Sequence, residues 1–555
     1  MGLIFFALSW LLPNHYPPWV NFHSEFLAFL GLGGMLGAFL WRNATTIHVP
    51  RLVVALLALA AVPWLQHAAG LVFFAGDALV SSYCLVGLAA AITLGYSSKP
   101  PAGPAVNVPG ASSLLPMAMV LLVAALLSAL LGFLQWLSLT EVLTTAAMHI
   151  EPGERVMANL GQPNQLASLL LMGIVALVFV YEQRGIGRLG LFLGTTFMTW
   201  VIVLTGSRTA ILSALAIVLF LLFKKRSGGS LLPAGFLGIW FAGFVLATLA
   251  MPSVNELLLL RDGRDVALTD SNGRVLIWQQ TVAAIAEAPW LGYGWNQTPV
   301  AQATGALQYP GTLFFSNAHN LVLDLCTWVG LPLGIALSAA CAYWLCTRMK
   351  WAHTTEAVYA MAMLLPVAVH SMLEFPFAYA YFLLAAGLLM GVVEASTVVA
   401  RPFNLSVRAG WGVLALLAAI GGYQSYEYIL VEEDYRVARF ENLRVGRTPE
   451  DYRAPDIRLN TQLKALLSVL RQPAVPAMTP QQMESLRQVS LRFGFRPLVF
   501  RYAVAMGLNG DPEGASRQMQ VLRGMYGERY YLATKAEMER LAVTQYPPLS
   551  AIRLP

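Results

Sequence analysis

The sequence predicts an all-α polytopic membrane protein with a helical C-terminal domain, on three observations. Of its 555 residues, 57% are hydrophobic and 12% charged, more apolar surface than a soluble fold can bury. Apolar runs of spanning length recur between short polar breaks. The charges are unevenly spread, with 31 of the 64 Asp, Glu, Lys and Arg side chains in residues 432–555. Residues 1–431 are therefore expected to be a membrane domain and 432–555 a soluble helical domain.

Along the membrane domain the apolar runs place about thirteen spans, at 2–13, 24–41, 51–66, 78–96, 114–138, 162–182, 188–205, 209–223, 231–250, 320–346, 355–371, 375–396 and 409–430. The N-terminus is apolar from Leu3, with no cationic region ahead of it and no small-residue cleavage site, and reads as a retained first span. Basic residues at 42 and 51, 99, 184 and 188, 224–226, 348 and 350, and 401 and 408 fall in alternate breaks. Cationic loops stay on the cytoplasmic side, so the outer side receives the 14–23 and 67–77 breaks, the 139–161 break, the Gly206-Ser207-Arg208 turn, a large loop at 251–319, the turn at His370, and the tail. Every polar motif with chemical potential lands on that one side.

The tail carries helical periodicity without strand alternation. Pro497 to Gly527 reads as helix, turn at Gly510-Asp511-Pro512-Glu513-Gly514, helix, the hairpin of a tetratricopeptide-like or a generic helical domain. Cys84, Cys326, Cys341 and Cys346 all lie in apolar runs without metal-ligand spacing, so neither disulfides nor a metal site is expected. The net charge of +6 is modest and the basic residues are scattered, which argues against nucleic-acid binding.

The candidate catalytic residue is His319, in Phe315-Ser316-Asn317-Ala318-His319-Asn320, where the large loop meets the next apolar run. An imidazole titrates near neutrality and can take a proton from a hydroxyl; alone, it would read as a capping histidine. Arginines from two segments on the same side alter that reading. A guanidinium stays charged and presents a planar fork suited to diphosphate. Arg274 begins a helix with Trp278 one turn on, on the same face. Arg208, between two apolar runs, is costly at that depth and reads as functional against a snorkelling alternative. For Arg261 and Arg264, each beside an aspartate, diphosphate binding and solvated local pairing both stand. Asp324, five positions past His319, is not expected to orient its ring; Asn317 and Asn320 are the nearer neighbours. Gln162 and Asn164 enter a helix at Pro163, as sugar contacts or as caps. His370 and Glu374, four apart, read as a second proton-handling pair or as a buried pair closing a turn. No carboxylate pair is placed for glycoside hydrolysis.

The order Gly161-Gln162-Pro163-Asn164, Gly206-Ser207-Arg208, Arg274 with Trp278, Gly292-Tyr293-Gly294-Trp295 and Ala318-His319-Asn320 resembles the O-antigen ligase and O-antigen polymerase superfamily. The segment His370-Ser371-Met372-Leu373-Glu374-Phe375-Pro376 and the helical tail resemble its protein-glycosylating branch, the bacterial protein O-oligosaccharyltransferases. That resemblance implies a multi-pass enzyme of the bacterial inner membrane, working without metal or cofactor and facing the periplasm with its site and tail. Its donor would be an undecaprenyl-diphosphate-linked oligosaccharide, moved en bloc to Ser or Thr of a periplasmic or pilin-like protein. His319 would be the essential histidine, Arg208 and Arg274 the diphosphate ligands, and Gln162, Asn164, Trp278, Asn320, His370 and Glu374 contacts to glycan or acceptor. Phe375 departs from the tyrosine that family members often carry before the proline, which removes a hydroxyl there. Two related readings differ only in acceptor: a ligase acting on lipid A core, or a polymerase acting on a lipid-linked glycan. A reading from another class is a lipid-linked sugar transporter, which internal repeats and midplane helix breaks would favour; the chain shows no repeat.

Overall fold

The computed structural model describes residues 1–42, 46–98, 112–139, 146–150, 154–225, 233–258, 272–397 and 402–554. The chain is predominantly helical. In order the helices are α1 (Gly2–Leu11), α2 (Phe22–Arg42), α3 (Arg51–Leu59), α4 (Val62–Ala68), α5 (Ala75–Ser97), α6 (Leu115–Trp136), α7 (Pro163–Glu182), α8 (Arg188–Thr205), α9 (Arg208–Lys225), α10 (Ala234–Leu257), α11 (Asn272–Glu287), α12 (Thr298–Gly305), α13 (Leu321–Trp351), α14 (Thr355–Ser371), α15 (Ala380–Thr397), α16 (Val407–Leu443), and then α17 (Thr461–Arg471), α18 (Pro480–Phe493), α19 (Arg496–Leu508), α20 (Pro512–Tyr526) and α21 (Glu528–Thr544). Among the described residues, eight helical segments are long and apolar enough to cross a membrane, with α3 and α4 counted as one. Among the described residues, a helix lies within every segment expected to span.

The differences from expectation are local. The run at 51–66 breaks at Ala60–Ala61 because Pro63 starts a new helix at its first turn. Helix α13 contains a non-helical Gly330 at φ 78°. Part of the expected loop at 251–319 is itself helical, as α11 and α12. Helix α16 runs without a break through residue 431, because Glu432, Glu433 and the residues after them sustain a helix once the apolar run ends. A two-stranded antiparallel sheet was not expected: β1 (Thr46–Val49) pairs with β2 (Phe403–Ser406), Thr46 opposite Ser406.

The chain divides into two compact units. Unit one comprises Met1–Leu59, Cys84–Leu268 and Cys341–Ala419. Its centre is α7, buried from Asn164 to Val180, packed against α6, α8, α9 and α14. Helix α14 is likewise buried from Ala357 to Val367. Two helices apolar on every side occupy the middle of the bundle, as their all-round hydrophobicity requires. Peripheral helices expose apolar side chains such as Phe192, Ile239, Leu246 and Leu249, a surface suited to acyl chains.

Unit two comprises Ala60–Tyr83, Thr269–Ala340 and Ile420–Pro555. Within it α17 to α21 pack pairwise in sequence order. The helix–turn–helix read from Pro497 to Gly527 is α19 and α20, and Asp511 caps α20 by accepting the Gly514 N–H at 2.8 Å. Helix α18 opens on a capping box formed by Thr479 and Gln482. The buried Glu427 of α16 receives the N–H groups of Arg458, Leu459 and Asn460 at 2.6, 2.9 and 3.0 Å, which satisfies its charge and fixes the entry to α17.

A clamped histidine loop and a polar hub as candidate active-site parts

In unit two, His319 occupies a loop held from both sides. The Ala318 peptide is fully buried. Its N–H donates to Asp324 Oδ1 at 2.8 Å, and its carbonyl accepts Trp278 Nε1–H at 3.1 Å. Asp324 Oδ1 also accepts the Thr298 hydroxyl at 3.1 Å, and Thr298 Oγ1 accepts Trp328 Nε1–H at 2.8 Å. The chain Trp328 to Thr298 to Asp324 polarises each bond in turn. On the far side of His319, Asn320 Oδ1 accepts the N–H groups of Val322 and Leu323 at 3.0 and 3.2 Å and caps α13. Between clamp and cap His319 adopts φ 55°. That left-handed conformation suits histidine better than most residues, and it persists where the surroundings over-determine it. The half-buried imidazole is thereby presented on a rigid backbone.

The sequence reading of Asp324 was incomplete: it holds the peptide before the histidine, not the ring. Trp278, expected as a glycan contact, spends its indole N–H on the same peptide. Half-buried Arg274 lies in the first turn of α11, one turn before Trp278 and on its face. Asn320 is the cap. The motif Gly292-Tyr293-Gly294-Trp295 braces the break in α13: Tyr293 N–H and Gly294 N–H donate to Thr327 and Trp328 carbonyls at 2.8 and 3.1 Å. Buried Gln66 joins Trp295 N–H to the Trp328 carbonyl, at 2.8 and 2.7 Å. Arg261 and Arg264 lie outside the described residues.

In unit one, Asn164 at the start of α7 is a hub. Its Oδ1 accepts Ser207 Oγ–H at 2.7 Å and Arg155 Nη2–H at 3.1 Å, and its Nδ2 donates to Glu374 Oε1 at 3.3 Å. Arg155 Nε–H also donates to the Thr205 carbonyl at 2.8 Å. The α8–α9 turn, with Gly206 at φ 52°, is thus fastened to α7. Arg208 is the first residue of α9 and is exposed. A cation there opposes the positive end of the helix dipole, an arrangement that a bound anion relieves. Gln162 is the N-cap of α7, its Oε1 accepting Gln165 N–H at 2.8 Å. One turn beyond Asn164, Ser168 Oγ meets His370 Nδ1 at 2.9 Å. His370 and Glu374 are both buried, and Glu374 N–H closes the turn on the His370 carbonyl at 2.8 Å. Asn164, His370 and Glu374 therefore brace the protein internally. Arg155 escaped the sequence reading; its only signal was a lone arginine just ahead of the 159–165 motif. Among the described residues no group of three His, Cys, Asp or Glu side chains is placed to hold a metal.

Comparison with known proteins bears on both constellations. Residues 156–180 match a family described as protein glycosylation ligase, 193–338 one described as O-antigen ligase, and 358–540 the C-terminal region of a virulence-factor membrane-bound polymerase. A general O-oligosaccharyltransferase of Acinetobacter baylyi is 29% identical over 97% of this chain and 94% of its own length. Segments of the chain are thus similar in turn to protein glycosylation ligases, O-antigen ligases and membrane-bound polymerases. A ComP-specific O-oligosaccharyltransferase of the same organism is 30% identical over 46% of this chain and 47% of its own length. Within the superfamily matches, the ligase region contains Arg208, Arg274 and His319, and the glycosylation-ligase region contains the Asn164 hub.

Proposed function

We propose that this protein is an O-linked oligosaccharyltransferase of the bacterial inner membrane. It moves a glycan en bloc from undecaprenyl diphosphate to a Ser or Thr hydroxyl of a periplasmic or pilin-like protein. The reading is carried by similarity over 97% of the chain, tail included, to a protein named as a general O-oligosaccharyltransferase.

In the reaction the acceptor hydroxyl oxygen attacks the anomeric carbon as the bond from that carbon to the diphosphate breaks. His319 takes the hydroxyl proton. Arg208 and Arg274 stabilise the charge that grows on the departing lipid diphosphate, a preorganised electrostatic role. No metal is needed, because guanidinium groups supply the positive charge. The spans number about thirteen in this reading. Residues 1–431 hold the lipid-linked donor, and residues 432–555 form a helical domain in the periplasm, of tetratricopeptide-like or related build.

The test is reconstitution of the purified protein with a lipid-linked glycan and a pilin-like acceptor. Mass spectrometry should find a glycan-sized increment on Ser or Thr, lost in His319→Ala while donor binding persists. Transfer to lipid A core alone, or glycan extension alone, would replace the protein acceptor with one of the related alternatives. Full activity of His319→Ala would remove His319 from the mechanism.

A further inference from the structure

The loop that ends at His319 rests on the C-terminal helices of the same unit. Three tail glycines make that contact possible. A Cβ at Gly524 would lie 2.3 Å from the Ala306 carbonyl oxygen, one at Gly494 2.3 Å from the Phe314 ring, and one at Gly527 2.7 Å from Thr312 Cγ2. Gly494 and Gly527 also have φ of 59° and 80°. At this seat Gly311 N–H donates to the Gly524 carbonyl at 2.7 Å. Phe314 stacks on Tyr526, centroids 6.3 Å apart at 21°. The Tyr526 hydroxyl donates to the Gly494 carbonyl, and the Arg496 guanidinium lies over Tyr526 and Tyr530 at 4.9 and 5.1 Å. Ala303 and Ala306 complete the tail's own core with Met519, Leu522 and Met525.

From within the loop's own segment, fully buried Gln302 donates to the Leu313 carbonyl at 2.8 Å and accepts Phe315 N–H at 3.1 Å. Gln280 donates to the Tyr309 carbonyl at 2.6 Å. The loop is thus held at residues 309, 311, 313, 314 and 315, and again at Ala318. Close-packed contacts of this kind transmit a shift rather than absorb it.

We propose that the C-terminal helices are a positioning element of the active site. The seat of Gly494, Gly524 and Gly527 fixes the 306–315 loop and, through it, the place of His319. This rests on the reading of His319 as proton acceptor. It differs from a tail that only docks acceptor protein, because it predicts an effect on turnover and not on affinity.

The full-length reconstituted enzyme tests it with Gly524→Ala. The expected result is a fall in kcat of about tenfold or more, since a displacement of about 1 Å in a catalytic group can cost ~10²-fold. KM for donor and for acceptor should be unchanged, with a monodisperse elution profile. An unchanged kcat, or a rise in acceptor KM alone, overturns the proposal. If Gly524→Ala does not fold, Phe314→Leu takes its place, since it removes the ring stacked on Tyr526 and leaves the glycine backbone untouched. A fall in kcat at unchanged KM supports the seat, and an unchanged kcat overturns it. His319→Ala runs alongside: its full activity sinks the reading of the histidine, whereas a His319-dependent enzyme indifferent to Gly524→Ala sinks the tail inference alone.

Discussion

His319 owes its placement to side chains outside its own motif. Trp278 and Asp324 grip the Ala318 peptide, and Thr298 and Trp328 hold Asp324. Removing the acceptor should matter more than removing its charge. Asp324→Ala leaves the buried Ala318 N–H unsatisfied, a loss of about 1–3 kcal/mol, and should lower both the thermal midpoint and kcat. Asp324→Asn keeps an oxygen that accepts from Ala318 and Thr298, and should retain most activity. Equal loss in the two variants, in stability and turnover, would show that the carboxylate acts by its charge. Arg274→Lys tests the diphosphate reading in a different way. Lysine keeps the charge and loses the planar fork, so most transferase activity should disappear while the protein remains folded. Wild-type turnover in that variant would remove Arg274 from diphosphate binding.

At the scale of elements, the start of α7 joins three parts of unit one through one amide. Asn164→Ala would strip partners from Ser207, Arg155 and Glu374 together. Because these bonds share one buried centre, the loss should exceed that of a single hydrogen bond, about 1 kcal/mol. A lowered thermal midpoint in detergent would measure it, and an unchanged midpoint would mean the hub contributes nothing. The start of α7 was legible in the sequence: Gln162 followed by Pro163 marks a helix start by local chemistry. The apolar helices were legible because apolar runs declare themselves, eight of them long enough to cross a membrane among the described residues, as was the α19–α20 turn at Gly510 to Gly514. What was hidden depends on residues distant in sequence. The β1–β2 pair joins four-residue strands more than 350 positions apart, as Thr46 opposite Ser406 shows, and strands that short carry no pattern. The break at Gly330 was hidden too, because an apolar run reads the same whether straight or broken. Its cause is tertiary: a Cβ there would lie 2.2 Å from the Trp290 carbonyl oxygen. Of the candidate site, the histidine and the arginines came from residue chemistry. The roles of Asp324, Arg155 and the tail glycines required coordinates, since each acts on a partner that the linear chain does not place beside it.

For the molecule as a whole, the basic loops make a sharper prediction than the number of spans. Cations at 184 and 188, 224–226, and 401 and 408 are expected to keep their breaks in the cytoplasm whatever the first helix does. The twelve spans expected between residues 24 and 430 would return the tail to the side on which the 14–23 segment lies. A reporter active only outside the cytoplasm should therefore work when fused after Pro555 and fail when inserted at 226–232. The first helix is a separate question. At 10 residues α1 is about 15 Å long, half a hydrocarbon core, yet Phe6 and Trp10 are fully buried within unit one. It packs against α2, α6 and α15, so it lies in the bundle rather than on its surface, and Leu12 and Pro13 lengthen its apolar run. If α1 crosses, a cysteine placed at residue 2 should resist a membrane-impermeant thiol reagent added to spheroplasts, while one placed in the tail is labelled. Labelling at both positions would make α1 a half-span packed in the outer leaflet and reduce the count by one. It would leave the side of the tail, and of the histidine loop seated on it, as the basic residues set it.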